Sequence, residues 1–514
     1  MTAPANSRSL KHILWSTSLL GMMDHVLRSL SVFIVSPLLI GGLGQENYGV
    51  WVLLVSWVGL LEMLDLGMGN TAARYLSSSV SRHNAEETAS LVGFFRKHYR
   101  RVGWGVCLLA MVGSIILHLV WPAAHQSNPA LMFLVLGLAQ GGVMRFRVYS
   151  ALLKGHLRYQ TIILAGSARV VGFAAGLFCL NASGITLLGT LTLHVSLLIG
   201  EQMIFYIKGR RLIPQAEPLA MVHSKQREIM GYAGKNVAAT VAQLLRERID
   251  TQILAAFLSL SSVTQYAVGV RLPNLAMDIS NSLFGGHLVA GFTAAAGRKS
   301  PEELTADLLK VLRLSAWVGL TGCLLLFVFG PAFIIRWLGT EFGPAGKVLR
   351  VLVPGIALTV MQYPAYSLLP ALNRHGRLVL QYLITSGINF VVSVILVQRI
   401  GLTGVVWGTM FELVLQGCVG MPLLIAGALP VSGGKYLWHA VVRPLLVYGV
   451  LLAPLSLWWL ESYQPRSYVE IGLGVCGLGS IYLLTGFLLI LQKADRRFIW
   501  GRLRATVGFD KSSE

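Results

Sequence analysis

Apolar segments about twenty residues long recur along this chain from Ile13 to Leu491, and no other feature limits its fold so strongly. Crossing about 30 Å of hydrocarbon takes roughly 20 residues of helix. The segments are continuously apolar rather than alternating, so they predict helices and not the strands of a barrel. Composition agrees: 54% of the residues are hydrophobic and only 12% charged, against about 25% charged in a soluble chain. The shortfall runs the whole length, which makes lipid the solvent throughout.

The reading is an all-α polytopic membrane protein with spans at about 13–40, 47–67, 103–121, 130–152, 161–181, 184–207, 231–257, 265–290, 311–330, 349–369, 378–398, 402–427, 440–460 and 469–491. That is about 14 transmembrane helices. The seventh is the least apolar, since Lys235, Arg246, Glu247, Arg248 and Asp250 all fall within it.

Basic residues mark the sides of the membrane. With the N-terminus cytoplasmic, one side receives Arg8, Lys11, Arg74, Arg82, Arg96, Lys97, Arg100 and Arg101, and later Lys208, Arg210, Arg211, Arg298, Arg374, Lys493 and Arg497. The opposite side receives only Arg336, Lys347, Arg350, Arg399 and Arg466. Both termini are therefore expected in the cytoplasm of a bacterium whose inner membrane holds the protein. The formal charge of +20 is spread as loop anchors and not gathered on one face of a soluble domain, which argues against nucleic acid as a partner. The tail stretch Arg496 to Arg504, with Phe498 and Trp500, reads as an anchor in the headgroup region. Five cysteines (Cys107, Cys179, Cys323, Cys418, Cys476) stand singly in apolar stretches, with neither metal spacing nor a disulfide framework. No loop is long enough to fold alone, so no soluble catalytic domain is expected and the chain does not read as an enzyme.

An internal repeat organises the spans. Leu43-Gly44-Gln45-Glu46-Asn47-Tyr48-Gly49 after the first span is answered by Leu260 to Gly269, with Tyr48 and Tyr266 lying 218 residues apart. Tyr149-Ser150-Ala151-Leu152 is answered by Tyr366-Ser367-Leu368-Leu369 at 217, and Gly189-Thr190 by Gly408-Thr409 at 219. Three matches in order at nearly one offset imply two six-helix lobes in parallel repeat, 1–215 and 216–430, followed by a helix pair and basic tail at 431–514. Six is even, so the halves enter from one side, and a transport site is expected between them.

A charge at mid-membrane costs roughly 2.5–3.5 kcal/mol on insertion scales, so it should face a cavity or a partner. Asp24 and Arg28 are i, i+4 neighbours in the first span, with His25 and Ser31 beside them. Lys235, Arg246 and Asp250 share a face of the seventh, and Arg271, Asn274, Asp278 and Asn281 form a stripe along the eighth. Internal ion pairs, Asp24 with Arg28 and Arg246 with Asp250, would account for some of these. The functional reading makes Arg28, Arg271, Arg246, Arg248 and Lys235 cavity cations, and Asp24, Asp250 and Asp278 candidates for ion coupling. Glu62 and Asp65 sit together near the cytoplasmic end of the second span, while Arg169, Glu201 and Glu412 are lone charges in the fifth, sixth and twelfth, the two glutamates read as members of internal ion pairs that hold helices together.

Leu43-Gly44-Gln45-Glu46-Asn47-Tyr48-Gly49 and Leu64-Asp65-Leu66-Gly67-Met68-Gly69-Asn70-Thr71-Ala72-Ala73-Arg74 look like the "LGxxxYG" and "DLGxxxxAxR" patterns of a known group. With the second-half stretches Gln265 to Leu272 and Gly401 to Gly404, the sequence resembles the oligosaccharide-lipid flippases (Wzx-like, PST family) of the multidrug/oligosaccharidyl-lipid/polysaccharide exporter (MOP) superfamily. The resemblance implies translocation of an undecaprenyl diphosphate-linked oligosaccharide from the cytoplasmic to the periplasmic leaflet, by alternating access, for O-antigen, exopolysaccharide or capsule. It further implies arginines that meet the diphosphate, coupling to H+ or Na+, no organic cofactor or metal, and a polysaccharide polymerase and chain-length regulator as partners beside the membrane lipids. Arg28 and Arg271 match basic cavity positions, with Arg246 and Arg248 behind them. Competing readings are a multidrug cation antiporter of the same superfamily, a membrane glycan polymerase or ligase, and a lipid II flippase. The short outward loops at 122–129, 182–184 and 462–468 weigh against the polymerase.

Overall fold

The computed structural model describes residues 10–65, 67–120, 128–216, 223–462, 465, 467–497 and 500, and these contain helices and no strands. Among the described residues ten helices are long and apolar enough to cross a membrane, or eleven if one bent pair counts as a single span, against the fourteen expected. The chain is a multi-pass membrane protein. It divides into two compact units, Met1–Leu244 and Leu245–Glu514.

The first unit opens with α1 (Leu10–Glu62), which runs through the expected first and second spans. Its 53 residues would measure about 80 Å if straight, more than twice a hydrocarbon layer. The chain breaks at Gly44 (φ 75, ψ 168), a left-handed backbone that glycine enters without steric cost. This is the loop that the sequence places between the two spans. Next come α2 (Met68–Ser81) and α3 (Ala85–Val120), the latter with Glu86 and Glu87 in its first turn, where carboxylates complement the helix dipole. α4 (Pro129–Met144) starts on an Asn128 cap with proline at N1. It meets α5 (Arg147–Gly155) at a 42° bend, so the expected fourth span is a bent pair. α6 (Tyr159–Asn181) and α7 (Leu187–Arg210) follow, the second capped by Thr186. The division between units falls inside α8 (His223–Phe257).

In lipid, helices gain little from burying apolar surface against one another, so close backbone approach carries their packing. Between α3 and α4 a Cβ built on Gly103 would lie 2.5 Å from the Gly141 carbonyl oxygen, and one on Gly137 would lie 2.3 Å from the Ala110 Cβ. Away from this seam α3 shows Trp104, Leu108, Ile115 and Leu119 as an exposed apolar stripe.

In the second unit the end of α8 is followed by three short helices, α9 (Leu260–Gly269), α10 (Arg271–Phe284) and α11 (Gly286–Ala296). The expected eighth span, 265–290, is therefore not continuous. Gly285 is one reason: its backbone is non-helical, and an added Cβ would meet the Asn281 side-chain and main-chain oxygens at 2.2 and 2.3 Å. Neither α8 nor any of these three is among the ten apolar spans. α12 (Pro301–Leu338) starts on a full capping box, Ser300 with Glu303. Then come α13 (Gly343–Met361), α14 (Tyr363–Ala371) and α15 (His375–Ile400). α16 (Leu402–Ala426), α17 (Gly433–Trp459) and α18 (Tyr468–Leu489) complete the unit. Beyond α18, Asp495 is 1% exposed and takes a two-pronged pair from Arg313 of α12, at 2.7 and 3.2 Å.

The repeat is visible inside each unit. α4 with the nine-residue α5 has its counterpart in α13 with the nine-residue α14. Leu157 (φ 56) and Asn373 (φ 57), which turn the chain into α6 and α15, stand 216 residues apart in the same left-handed conformation. Tyr48 and Tyr266, the repeated tyrosines, are both buried.

Candidate functional site

Among the described residues three groups of polar side chains stand out, two in the first unit and one in the second. In the first unit, Asp24 and Arg28 lie one turn apart on α1, and the Arg28 Nε donates to Asp24 Oδ2 at 2.8 Å. The other carboxylate oxygen, Oδ1, accepts from Ser167 of α6 at 2.7 Å. One residue earlier, Gly166 leaves the space that the Arg28 guanidinium fills: a Cβ there would lie 2.3 Å from Arg28 Nη2 and 3.6 Å from Glu201 Oε1 of α7. Glu201 in turn lies against Arg169 of α6, Nε to Oε2 at 3.1 Å. Two ion pairs, Asp24 with Arg28 and Arg169 with Glu201, therefore flank Gly166 on three helices. The expected internal pair of Asp24 and Arg28 forms, and the lone charges Arg169 and Glu201 are a pair. His25 buries Nε2 without a hydrogen-bond partner among the described residues.

The second group joins the end of α1 to α5. Arg147 lies 3.7 Å from Glu62 and 3.5 Å from Asp65, Gln140 donates to Glu62 at 2.9 Å, and the Gly69 N–H donates to Asp65 at 3.0 Å. The acidic end of the second expected span is thus neutralised from α5. Nearby, α8 is tied to α2 and α3 through Lys225 with Glu87, Tyr75 with Glu228 at 2.7 Å, and Arg74 over the Tyr232 ring at 4.4 Å. Burial and the Glu228 contact push the Tyr75 hydroxyl up to about 12, so it remains a proton donor at neutral pH.

Among the described residues the largest network lies in the second unit. Asp250 is 5% exposed. It accepts from Tyr266 at 2.5 Å, Thr409 at 2.7 Å and Asn389 at 3.3 Å. Glu412, also buried, accepts from Ser386 at 2.9 Å, Gln416 at 2.9 Å and Asn389 at 3.0 Å. The Ser393 hydroxyl donates to Asn389 Oδ1 at 2.8 Å, and Thr409 also contacts the Val405 carbonyl at 3.2 Å. Hydroxyl and amide donors therefore hold both carboxylates. Arg246 does not pair with Asp250, although the two share a face of α8; it lies over the Tyr382 ring at 5.2 Å.

Arg271, at the start of α10, is half-buried, with its Nε buried and without a hydrogen-bond partner among the described residues. Asn274, Asp278 and Asn281 of the same helix are exposed. Arg248 is half-buried. The side chain of Lys235 lies outside the described residues, as do the tail positions beyond Trp500. Arg28 and Arg271 belong to different units. Among the described residues no group of three or more His, Cys, Asp or Glu side chains could hold a metal ion.

The sequence reading missed the partners of Asp250 and Glu412. A signal was present: Thr385, Ser386, Asn389 and Ser393 recur at helical spacing in the apolar eleventh span, a polar stripe like that of the eighth.

No family model and no curated protein matches this sequence. Solved structures do. The chain is similar to the lipid II flippase MurJ in an inward closed conformation, with a TM-score of 0.68 and 12% identity over 91% of this chain and 97% of that one. It is also similar to an inward-facing multidrug resistance MATE family transporter of the MOP superfamily, with a TM-score of 0.63 and 13% identity over 78% and 95%. A third likeness is to a MOP superfamily transporter from Pyrococcus furiosus described as having a reversed binding-pocket polarity, with a TM-score of 0.56 and 13% identity over 80% and 95%. The chain has the fold of these transporters.

Proposed function

We propose that this protein is a flippase that moves an undecaprenyl diphosphate-linked oligosaccharide from the cytoplasmic to the periplasmic leaflet of a bacterial inner membrane, by alternating access, for O-antigen, exopolysaccharide or capsule. Both termini are cytoplasmic in this reading, and a polymerase and chain-length regulator act on the product. One observation carries it: the helices of a fold shared with a lipid II flippase hold arginines in each unit, Arg28 in the first, Arg246 and Arg271 in the second. A guanidinium in low dielectric suits a diphosphate because it offers parallel, charge-assisted bonds to two oxygens. The half-buried Arg271, with an unsatisfied Nε donor, is the member best prepared to gain from an anionic ligand.

The buried pair Asp250 and Glu412 favours a second reading, a multidrug cation antiporter. Under the flippase reading the same acids serve ion coupling, with Asp250 taking up H+ or Na+ and Asp24 and Asp278 as further candidates. The discriminating experiment reconstitutes the protein in proteoliposomes with a fluorescent undecaprenyl diphosphate-linked oligosaccharide and follows its quenching from outside. Arg28→Ala and Arg271→Ala should abolish flipping while inserting normally, and the corresponding lysine variants should recover part of it. Flipping at the wild-type rate by both alanine variants would remove the cationic site from the mechanism, and drug-cation exchange in its place would establish the antiporter.

A further inference from the structure

Three helices of the second unit bring basic side chains together at one end. Arg313 of α12 is joined to Asp495, just past α18, at 2.7 and 3.2 Å. The Arg443 guanidinium of α17 donates to the Leu489 carbonyl at the end of α18, at 3.2 Å. Between Gly433 and Arg443, and between Leu489 and Arg497, the sequence has five lysines and arginines and one carboxylate, Asp495. That carboxylate is 1% exposed and committed to Arg313. Among the described residues, none of Lys435, Arg443, Lys493, Arg496 or Arg497 forms an ion pair. His439 stands among them, and Arg443, Lys435 and Arg313 all act on it electrostatically.

Like charges gathered in this way repel one another unless an anion sits between them. The surface of α17 says what kind of anion. Lys435, His439 and Arg443 follow at a spacing of four, so they share a helix face. The turn between them, Trp438–Val442, is a π-turn, a geometry frequent at functional positions. Farther along, Leu446, Val450 and Leu457 continue that face at helical spacing, and all three are exposed. The face therefore changes from cationic to apolar at Arg443, as a phospholipid changes from phosphate to acyl chain. Arg496 adds a buried Nε without a hydrogen-bond partner among the described residues, a donor that gains from any acceptor brought to it. This is the end that the distribution of basic residues assigns to the cytoplasm, where the leaflet carries anionic headgroups and basic pockets between helices hold them.

We propose that the junction of α12, α17 and the segment after α18 is a binding site for an anionic phospholipid of the cytoplasmic leaflet. Arg443, His439 and Arg496 take the phosphate, Lys435 and Lys493 neutralise the rest of the headgroup, and an acyl chain lies along Leu446 and Val450. The site uses none of the arginines given to the flippase substrate.

The test titrates the purified full chain with dioleoyl phosphatidylglycerol, dioleoyl phosphatidylcholine or undecaprenyl phosphate and counts bound lipid by native mass spectrometry. Thermal melting without added lipid is the control for folding. Wild type should hold phosphatidylglycerol about tenfold more tightly than phosphatidylcholine. Lys435→Gln and Arg496→Gln should each weaken phosphatidylglycerol binding about fivefold, the scale of one basic side chain at an anionic surface, with unchanged melting. Arg96→Gln, which removes an exposed cation of α3 in the other unit, should change it less than twofold. Phosphatidylglycerol held no better than phosphatidylcholine, or a loss in Arg96→Gln equal to those of the other two variants, would reduce the cluster to diffuse charge and overturn the site. Undecaprenyl phosphate held more tightly than phosphatidylglycerol, and lost in the same two variants, would overturn the phospholipid as its occupant.

Discussion

Asn389 donates its side-chain amide to Asp250 at 3.3 Å and to Glu412 at 3.0 Å, so a single NH2 group joins two buried carboxylates from α8 and α16. Asn389 is itself fully buried and is held in turn by Ser393. The orientation of this amide is therefore fixed, and both acids depend on it.

Replacing Asn389 by alanine should leave each acid short of a donor, at a cost of about 1–3 kcal/mol per buried group. Asn389→Asp should be worse, since it places a third carboxylate between the two. Thermal melting of the purified variants ranks them, and a melting point for Asn389→Asp at or above wild type would contradict the arrangement.

Asp250→Asn keeps the size of the side chain and removes its charge. Under the coupling proposal, substrate binding should survive while the flipping rate loses its response to an imposed H+ or Na+ gradient. Proteoliposomes with and without each gradient provide the measurement. An undiminished gradient response would assign coupling elsewhere.

Gly166→Ala places a methyl group 2.3 Å from Arg28 Nη2 and should drive the guanidinium out of position, lowering flipping by about one to two orders of magnitude, the usual price of misplacing a binding group by about 1 Å. Gly200→Ala is the control: it adds a Cβ on neighbouring α7 that meets nothing within 4 Å. An alanine in that helix should be neutral or stabilising by up to about 1 kcal/mol.

Arg313→Ala strips the partner from Asp495, which is 1% exposed. Losing one member of a buried pair costs about 3–5 kcal/mol because the other charge stays uncompensated. The double variant Arg313→Ala with Asp495→Ala should therefore melt higher than the single. Equal melting points would mean that the pair contributes nothing.

The helical membrane fold was legible because twenty-residue apolar segments admit few alternatives, and Gly44 and the repeated tyrosines marked real breaks and buried anchors. Continuity was not legible. Gly285 and the turn at Val270 divide what periodicity presents as one helix, because hydropathy is nearly blind to a single backbone angle. For the candidate site, the sequence identified Arg28, Arg246, Asp250 and Arg271 as charges out of place in lipid. It could not say which acid answers which base. Arg246 and Asp250 share a face yet take different partners, an aromatic ring on α15 and hydroxyls on α9 and α16, and those depend on contacts between helices far apart in sequence.

The matching left-handed residues Leu157 and Asn373 have a consequence of their own. A leucine in that conformation costs roughly 1–2 kcal/mol, and the second half meets the same geometric demand with an asparagine, which bears it more easily. Both halves thus keep the same left-handed turn at unequal expense, while their interiors differ: salt-linked and partly open in one, acid-bearing and buried in the other. A common scaffold has been furnished twice, with charge answering charge in one half and neutral donors answering acids in the other.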